Sequence, residues 1–132
     1  MPDESKTMHQ WCRDHSVAPY FTIGRTCLST VAINVNYESC YHFDRGDLPS
    51  GYSTLTAMTV GGPYCGGELV LPNYRVAIDI RDGDLLCSQS HIDLHGNMAV
   101  LPKERGAKRI SFVTYLKNRL KHAVNQTSMQ ET

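Results

Sequence analysis

No stretch of the 132 residues approaches the roughly 20 consecutive apolar side chains that a membrane-spanning helix needs, so a membrane protein is not expected. There is no CxxC pair, and no secretory leader stands ahead of the cysteines. Cys12, Cys27, Cys40, Cys65 and Cys87 are odd in number and widely spread, which argues against a disulfide framework or a zinc ribbon. They read as reduced thiols of an intracellular protein, nuclear or cytoplasmic. Net charge is also missing: 13 basic residues balance 13 acidic ones, so the chain as a whole is no polyanion binder. Internal repeats and low-complexity tracts are absent. An apolar content of 41 % and a charged content of 20 % instead describe one ordinary globular domain, with room for a single site and expected as a monomer.

What charge there is lies unevenly. Residues 103 to 121 hold seven Lys or Arg and only Glu104, whereas residues 1 to 102 hold six basic and eleven acidic side chains. The C-terminal segment is therefore either a phosphate-facing strip or a solvated helix.

Residues 1–25 are polar and read as an N-terminal arm or short helix, with Trp11 as its core anchor. From Thr26 the pattern changes to short β-branched stretches. Val31, Ile33 and Val35 alternate with Ala32, Asn34 and Asn36, the period of a strand with one face buried. "STLTAMTV" (53–60), "ELVL" (68–71), "RVAIDI" (75–80), "DLLCS" (84–88), "MAVL" (98–101) and "RISFVTYL" (109–116) read likewise. They are bounded by "GGPYCGG", "PNY", "RDGD" and "PKERG". The expected fold is mainly β, a jelly-roll or double-stranded β-helix over residues 26–122 with short flanking helices. "KNRLKHAVNQ" could form one of these, and residues 123–132 read as a frayed tail. Gly61, Gly62, Gly66 and Gly67 around Pro63-Tyr64-Cys65 fit a mobile lip or a plain hairpin turn equally.

Three groups of residues carry chemistry. In an extended segment i and i+2 project together, so His42 and Asp44 of "YHFDRGD" can reach one ion while Phe43 points into the opposite layer. Two histidines and one carboxylate make the facial triad of non-haem Fe(II) oxygenases, and "SHIDLHGN" offers His91 or His95 as the third arm. In "RISFVTY", Arg109, Ser111, Val113 and Tyr115 share one strand face. An inward guanidinium needs a partner: either the far carboxylate of a dicarboxylate cosubstrate or one of Asp79, Asp82 and Asp84.

At this point the sequence resembles the TET/JBP branch of the Fe(II)/2-oxoglutarate-dependent dioxygenases. The likeness runs from Thr26 to Leu116 and is carried by "INVN", the HxD at 42–44, "GDLPSGYSTLT", "GGELVLPNYRVAIDIRDGDLL", "SHIDLHGN" and "RISFVTY". It implies an enzyme that hydroxylates the 5-methyl group of thymine or 5-methylcytosine in DNA, using Fe(II), 2-oxoglutarate and O2. His42, Asp44 and His95 would be the iron ligands, with His95 favoured over His91 by its place before Gly96-Asn97. Arg109 and Ser111 would bind 2-oxoglutarate. Asn34 and Asn36 would line the cosubstrate pocket or cap the backbone. Asp47 would contact the target base, where animal relatives carry Asn, and Tyr115 would pack on the flipped base. A 2-oxoglutarate oxygenase of a small molecule or protein side chain, and an inactive jelly-roll binding protein, are the competing readings.

Overall fold

The N-terminal segment has acids in its first turn (Asp3, Glu4) and Arg13 in its last, the charge order that suits a helix dipole. It forms helix α1, Pro2–Asp14, which closes on Ser16 in the left-handed conformation (φ 52°) with the Val17 N–H bonded to the Cys12 carbonyl. The computed structural model describes residues 2–121. One apolar stripe of α1 is driven into the body of the fold: Met8 is fully buried with Cys27, Leu28, Leu48 and Leu116, and Trp11 and Cys12 pack alongside. Met8 also fixes the loop ahead of the third strand, its Sδ accepting from the Tyr52 N–H.

The strands are β1 (Thr30–Val35), β2 (Ser39–His42), β3 (Ser53–Val60), β4 (Tyr64–Gly66), β5 (Leu69–Leu71), β6 (Val76–Ile78), β7 (Leu85–Ser88), β8 (His95–Asn97), β9 (Val100–Pro102) and β10 (Lys108–Tyr115). They pair antiparallel as a larger sheet β1-β10-β3-β7, a smaller sheet β2-β8-β5-β6 and a two-stranded pair β4-β9. A second core of Leu55, Ala57, Leu69 and Ile80 joins the two four-stranded sheets, with Val113 and Leu86 packed against it. Sheet alternation, interleaved order and an inter-sheet core are the mainly β, jelly-roll architecture expected.

Several sequence expectations change. "MAVL" is not one strand: the chain leaves the smaller sheet after Asn97 and joins β4 from Val100, with the Met98 N–H bonded to the Glu68 carbonyl between them. Val31, Ile33 and Val35 are not the buried face of β1; they are 45 %, 63 % and 53 % exposed, and the polar alternate face, Ala32 and Asn34, looks inward. The reason is that the interior of this sandwich holds a polar cavity, so hydrophobicity marks the outer face here. Gly61 and Gly62, then Gly66 and Gly67, take positive φ at the ends of β4 and do not line the cavity, so they serve as turns. The C-terminal segment begins a helical turn at Leu120 and Lys121; the rest of "KNRLKHAVNQ", with the expected tail, lies outside the described residues.

Candidate functional site

The inward faces of the two sheets enclose a cavity of about 250 Å³. The larger sheet contributes Ala32 and Asn34 from β1, Ser111, Val113 and Tyr115 from β10, Ser53 and Leu55 from β3, and Ser88 from β7. Register explains the set: Asn34 faces Ser111, Ala32 faces Val113 and Thr30 faces Tyr115, so one side of the pleat presents them all. The smaller sheet contributes His42, Leu69, His95 and Asn97, and loops add Asp44, Arg45, Asp47 and Ser90.

His42, Asp44 and His95 converge on one wall. Their candidate ligand atoms all lie within 4.8 Å of one another. Asp44 Oδ1 is 3.4 Å from His42 Nε2 and 3.6 Å from His95 Nε2. The two histidines face each other because β2 pairs with β8 in a register that opposes His42 to His95. Each Nδ1 lies against a backbone carbonyl, Cys40 at 2.9 Å and Asp93 at 2.8 Å. A carbonyl only accepts, so both rings donate from Nδ1 and turn Nε2 toward the aspartate, the tautomer a metal requires. The His95 imidazolium is favoured by its hydrogen bond to Asp44, against burial. Burial works to raise the Asp44 carboxyl, but hydrogen bonds from His95 and Ser90 and the two imidazole charges hold it below its ordinary value.

Asp44 does not lie on a strand with His42, as the HxD spacing suggested. β2 ends at His42, and Asp44 is instead pinned by its N–H to the Ser90 carbonyl at 3.0 Å. Phe43 does not enter the opposite layer; it is 48 % exposed. His91 stands outside the cluster and donates to the Asp44 carbonyl at 3.3 Å.

Arg109 occupies the same face of β10 as Ser111, one step further along, and is 2 % exposed. It does not line the cavity surface. The three candidate aspartates are committed elsewhere: Asp79 to Arg81 at 2.6 Å, Asp82 to the Thr59 hydroxyl at 2.6 Å, and Asp84 to the Arg81 N–H at 2.9 Å. Among the described residues Arg109 makes no ion pair, and its Nη2 is buried without a hydrogen-bond partner. Gly67 (φ 80°) is the close approach that seats it; a Cβ there would meet Arg109 Cδ at 2.8 Å. Asn36 takes the capping role: at φ 49° its Oδ1 accepts from the Arg109 N–H at 2.8 Å, while Asn34 lines the cavity.

Ser90 was not anticipated. Its buried hydroxyl sits 2.7 Å from that of Ser53, donates to Asp47 Oδ2 at 3.4 Å, and also bonds the Asp44 carboxylate. The only signal in the sequence is Ser88 and Ser90 at i and i+2 after a strand. Burial, then the nearby Asp44 charge, pushes the Asp47 carboxyl up to about 6. Burial and the charges of Asp47 and Asp44 likewise raise the Tyr115 phenol.

A folded-state Asp47 carboxyl above its unfolded value of 3.8 contributes stability that is present below pH 3.8 and lost as pH rises through about 6. Asp47→Asn is therefore expected to stabilise the metal-free protein at pH 8. The two-unit shift corresponds to about 3 kcal/mol, reduced by partial exposure to about 1–2 kcal/mol. Thermal melting at pH 8 and pH 4 checks this, since the gain should vanish at the lower pH.

A family model described as the oxygenase domain of the 2OGFeDO superfamily, Tet_JBP, matches residues 9–118. The chain belongs to the Tet/JBP family. Among its Tet/JBP relatives is the bifunctional helicase and thymine dioxygenase JBP2 of Trypanosoma brucei brucei, 32 % identical over 114 residues, which are 86 % of this chain and 10 % of the relative. The thymine dioxygenase JBP1 of the same species is 30 % identical over 109 residues, 81 % of this chain and 13 % of that protein. The chain thus spans about a tenth of the length of the curated relatives it matches. The solved structure of NgTET1 in complex with 5mC DNA superposes with a TM-score of 0.69 at 17 % identity, covering 97 % of this chain and 51 % of that one, which establishes the shared double-stranded β-helix fold.

Proposed function

We propose that this Tet/JBP domain is an Fe(II)- and 2-oxoglutarate-dependent dioxygenase that hydroxylates the 5-methyl group of a pyrimidine, thymine or 5-methylcytosine, in DNA. The observation that carries the reading is the convergence of His42, Asp44 and His95 with both Nδ1 atoms tied to carbonyls. Two imidazoles and one carboxylate are the donor set that would suit Fe(II). The buried, unpartnered Nη2 of Arg109 suits a dicarboxylate.

In this reading His42, Asp44 and His95 hold the iron. Arg109 would pair with the distal carboxylate of 2-oxoglutarate, and Ser111 and Asn34, opposite each other in register, would add hydrogen bonds. Iron and cosubstrate supply the O2-dependent oxidation that turns a methyl C–H into an alcohol with release of succinate and CO2. A cavity of about 250 Å³ admits a small ring and not a duplex, so the base must leave the stack. Asp47 accepts a hydrogen bond from the base, N3–H in thymine or the exocyclic amine in 5-methylcytosine, and Tyr115 packs on its ring. Ser90 positions Asp47 relative to Asp44, holding the base-reading carboxylate at a set distance from the metal-binding one. Two relatives that are thymine dioxygenases, and a fold neighbour solved in complex with 5mC DNA, support a methylated pyrimidine as substrate class.

Incubation with duplex DNA, Fe(II), 2-oxoglutarate and O2, followed by mass spectrometry of the nucleosides, is expected to yield 5-hydroxymethyluracil or 5-hydroxymethylcytosine. Succinate released only with small molecules or peptides would move the substrate outside nucleic acid. Absence of the visible charge-transfer band of an Fe(II)–2-oxoglutarate chelate, in folded protein under anaerobic conditions, would leave a jelly-roll binding protein.

A further inference from the structure

The basic residues of the C-terminal segment do not form one strip. β10 separates them: Lys103 and Arg105 precede it and Lys108 opens it, whereas Lys117 and Arg119 follow it. At roughly 3.3 Å per residue, Lys108 and Tyr115 stand about 23 Å apart. The first group borders the β9–β10 turn, where the Lys103 N–H bonds the Pro63 carbonyl, and none of it lines the cavity.

The second group is fastened to the cavity. Lys117 bridges Asp47 in antiparallel register, the Asn118 N–H bonds the Gly46 carbonyl at 2.8 Å, and the Leu48 N–H bonds the Leu116 carbonyl at 2.9 Å. Leu116 and Leu48 are buried together, so the crossing is anchored in the core. Arg45, next to Gly46, is exposed and lines the cavity itself. Lys117 and Arg119 are exposed, and among the described residues none of the three makes an ion pair. Three unpaired cations are thus held by backbone bonds on the two segments that also carry Asp47 and Tyr115.

We propose that Arg45, Lys117 and Arg119 form a phosphate clamp at the cavity mouth, gripping the DNA backbone beside the extruded nucleotide, and that Lys103, Arg105 and Lys108 take no part. The inference rests on the DNA reading above and specifies which surface meets the duplex. A base can enter the cavity only if its own backbone is drawn to the rim, and free cations beside the base-contacting carboxylate supply that attraction. The half-buried acids beside the mouth would otherwise repel a polyanion. Asp44 and Asp47 both lie within a few residues of the clamp.

The test is fluorescence anisotropy of a labelled thymine-containing duplex with the whole chain, measured as a function of salt. The variants are R45Q/K117Q/R119Q and K103Q/R105Q/K108Q, with the three mouth single variants alongside in case the triple folds poorly. Each phosphate contact contributes about 0.9 to the slope of log K against log salt, so the mouth triple should lower that slope by about 2.7 and weaken binding on the order of 100-fold at 0.15 M salt. Each mouth single variant should lower it by about 0.9, and the distal triple should leave it unchanged. A distal triple that loses as much slope as the mouth triple, or a mouth triple that binds like the unaltered protein, overturns the clamp and leaves the DNA reading standing. Unaltered protein that does not bind the duplex at any salt overturns both.

Discussion

Replacing His95 with alanine is expected to abolish Fe(II) binding, whereas His91→Ala should keep most of it. His95 puts Nε2 3.6 Å from Asp44 Oδ1 and opposite His42, with its ring orientation locked by the Asp93 carbonyl. His91 meets only the backbone carbonyl of Asp44. Losing a group that supports a ligand costs roughly 10–100-fold in metal affinity, and losing a ligand of a three-residue site costs more, so the two variants should separate clearly. Anaerobic calorimetric titration with Fe(II), or the visible spectrum of a Co(II) substitute, reads the difference without relying on turnover. Loss of binding in His91→Ala with retention in His95→Ala would move the third ligand to His91.

The second large effect belongs to Arg109 and has opposite signs in binding and in stability. A bidentate, charge-assisted contact to a carboxylate is worth about 3–4 kcal/mol, so Arg109→Met should raise the 2-oxoglutarate KM by roughly 100- to 1000-fold. The same side chain is 2 % exposed with an unpartnered Nη2, a costly state for a guanidinium before ligand arrives. Methionine fills a similar volume with no charge to desolvate, so the ligand-free variant should melt at the same temperature as the parent or higher. Melting with and without 2-oxoglutarate checks both halves: the parent should be stabilised by the ligand and the variant should not. A large fall in melting temperature with an unchanged KM would make Arg109 a structural cation.

Gly67 extends the same argument. Its positive φ and its lack of a Cβ, which would meet Arg109 Cδ at 2.8 Å, let the chain between β4 and β5 pass close over the arginine. The turn glycines of "GGPYCGG" therefore shape the site from outside the cavity, by seating a buried side chain.

Local pattern in the sequence was reliable wherever a residue's role follows from its own strand. The alternation in "RISFVTY" places Ser111, Val113 and Tyr115 on one inward face with Arg109, because a pleat allows nothing else once pairing with β1 and β3 is set. On β1 the period was right but did not name the buried side, since alternation reports two faces and only the opposing layer decides which one meets solvent. For His42 and Asp44 the proximity was right and its cause wrong: the bond from the Asp44 N–H to Ser90, 46 residues away in sequence, replaces the strand geometry the spacing implied.

The sequence by itself determined the strand-rich architecture and the residue types of the proposed iron and dicarboxylate site, because composition and i, i+2 spacing are local properties. Only the tertiary structure decided that His42 and His95 face each other across β2 and β8, that Ser90 spans Asp44 and Asp47, that Arg109 has no partner among the described residues, and that the basic segment divides into a mouth group and a distant one. Each of these depends on which segments lie side by side, and cross-strand register and layer packing set that.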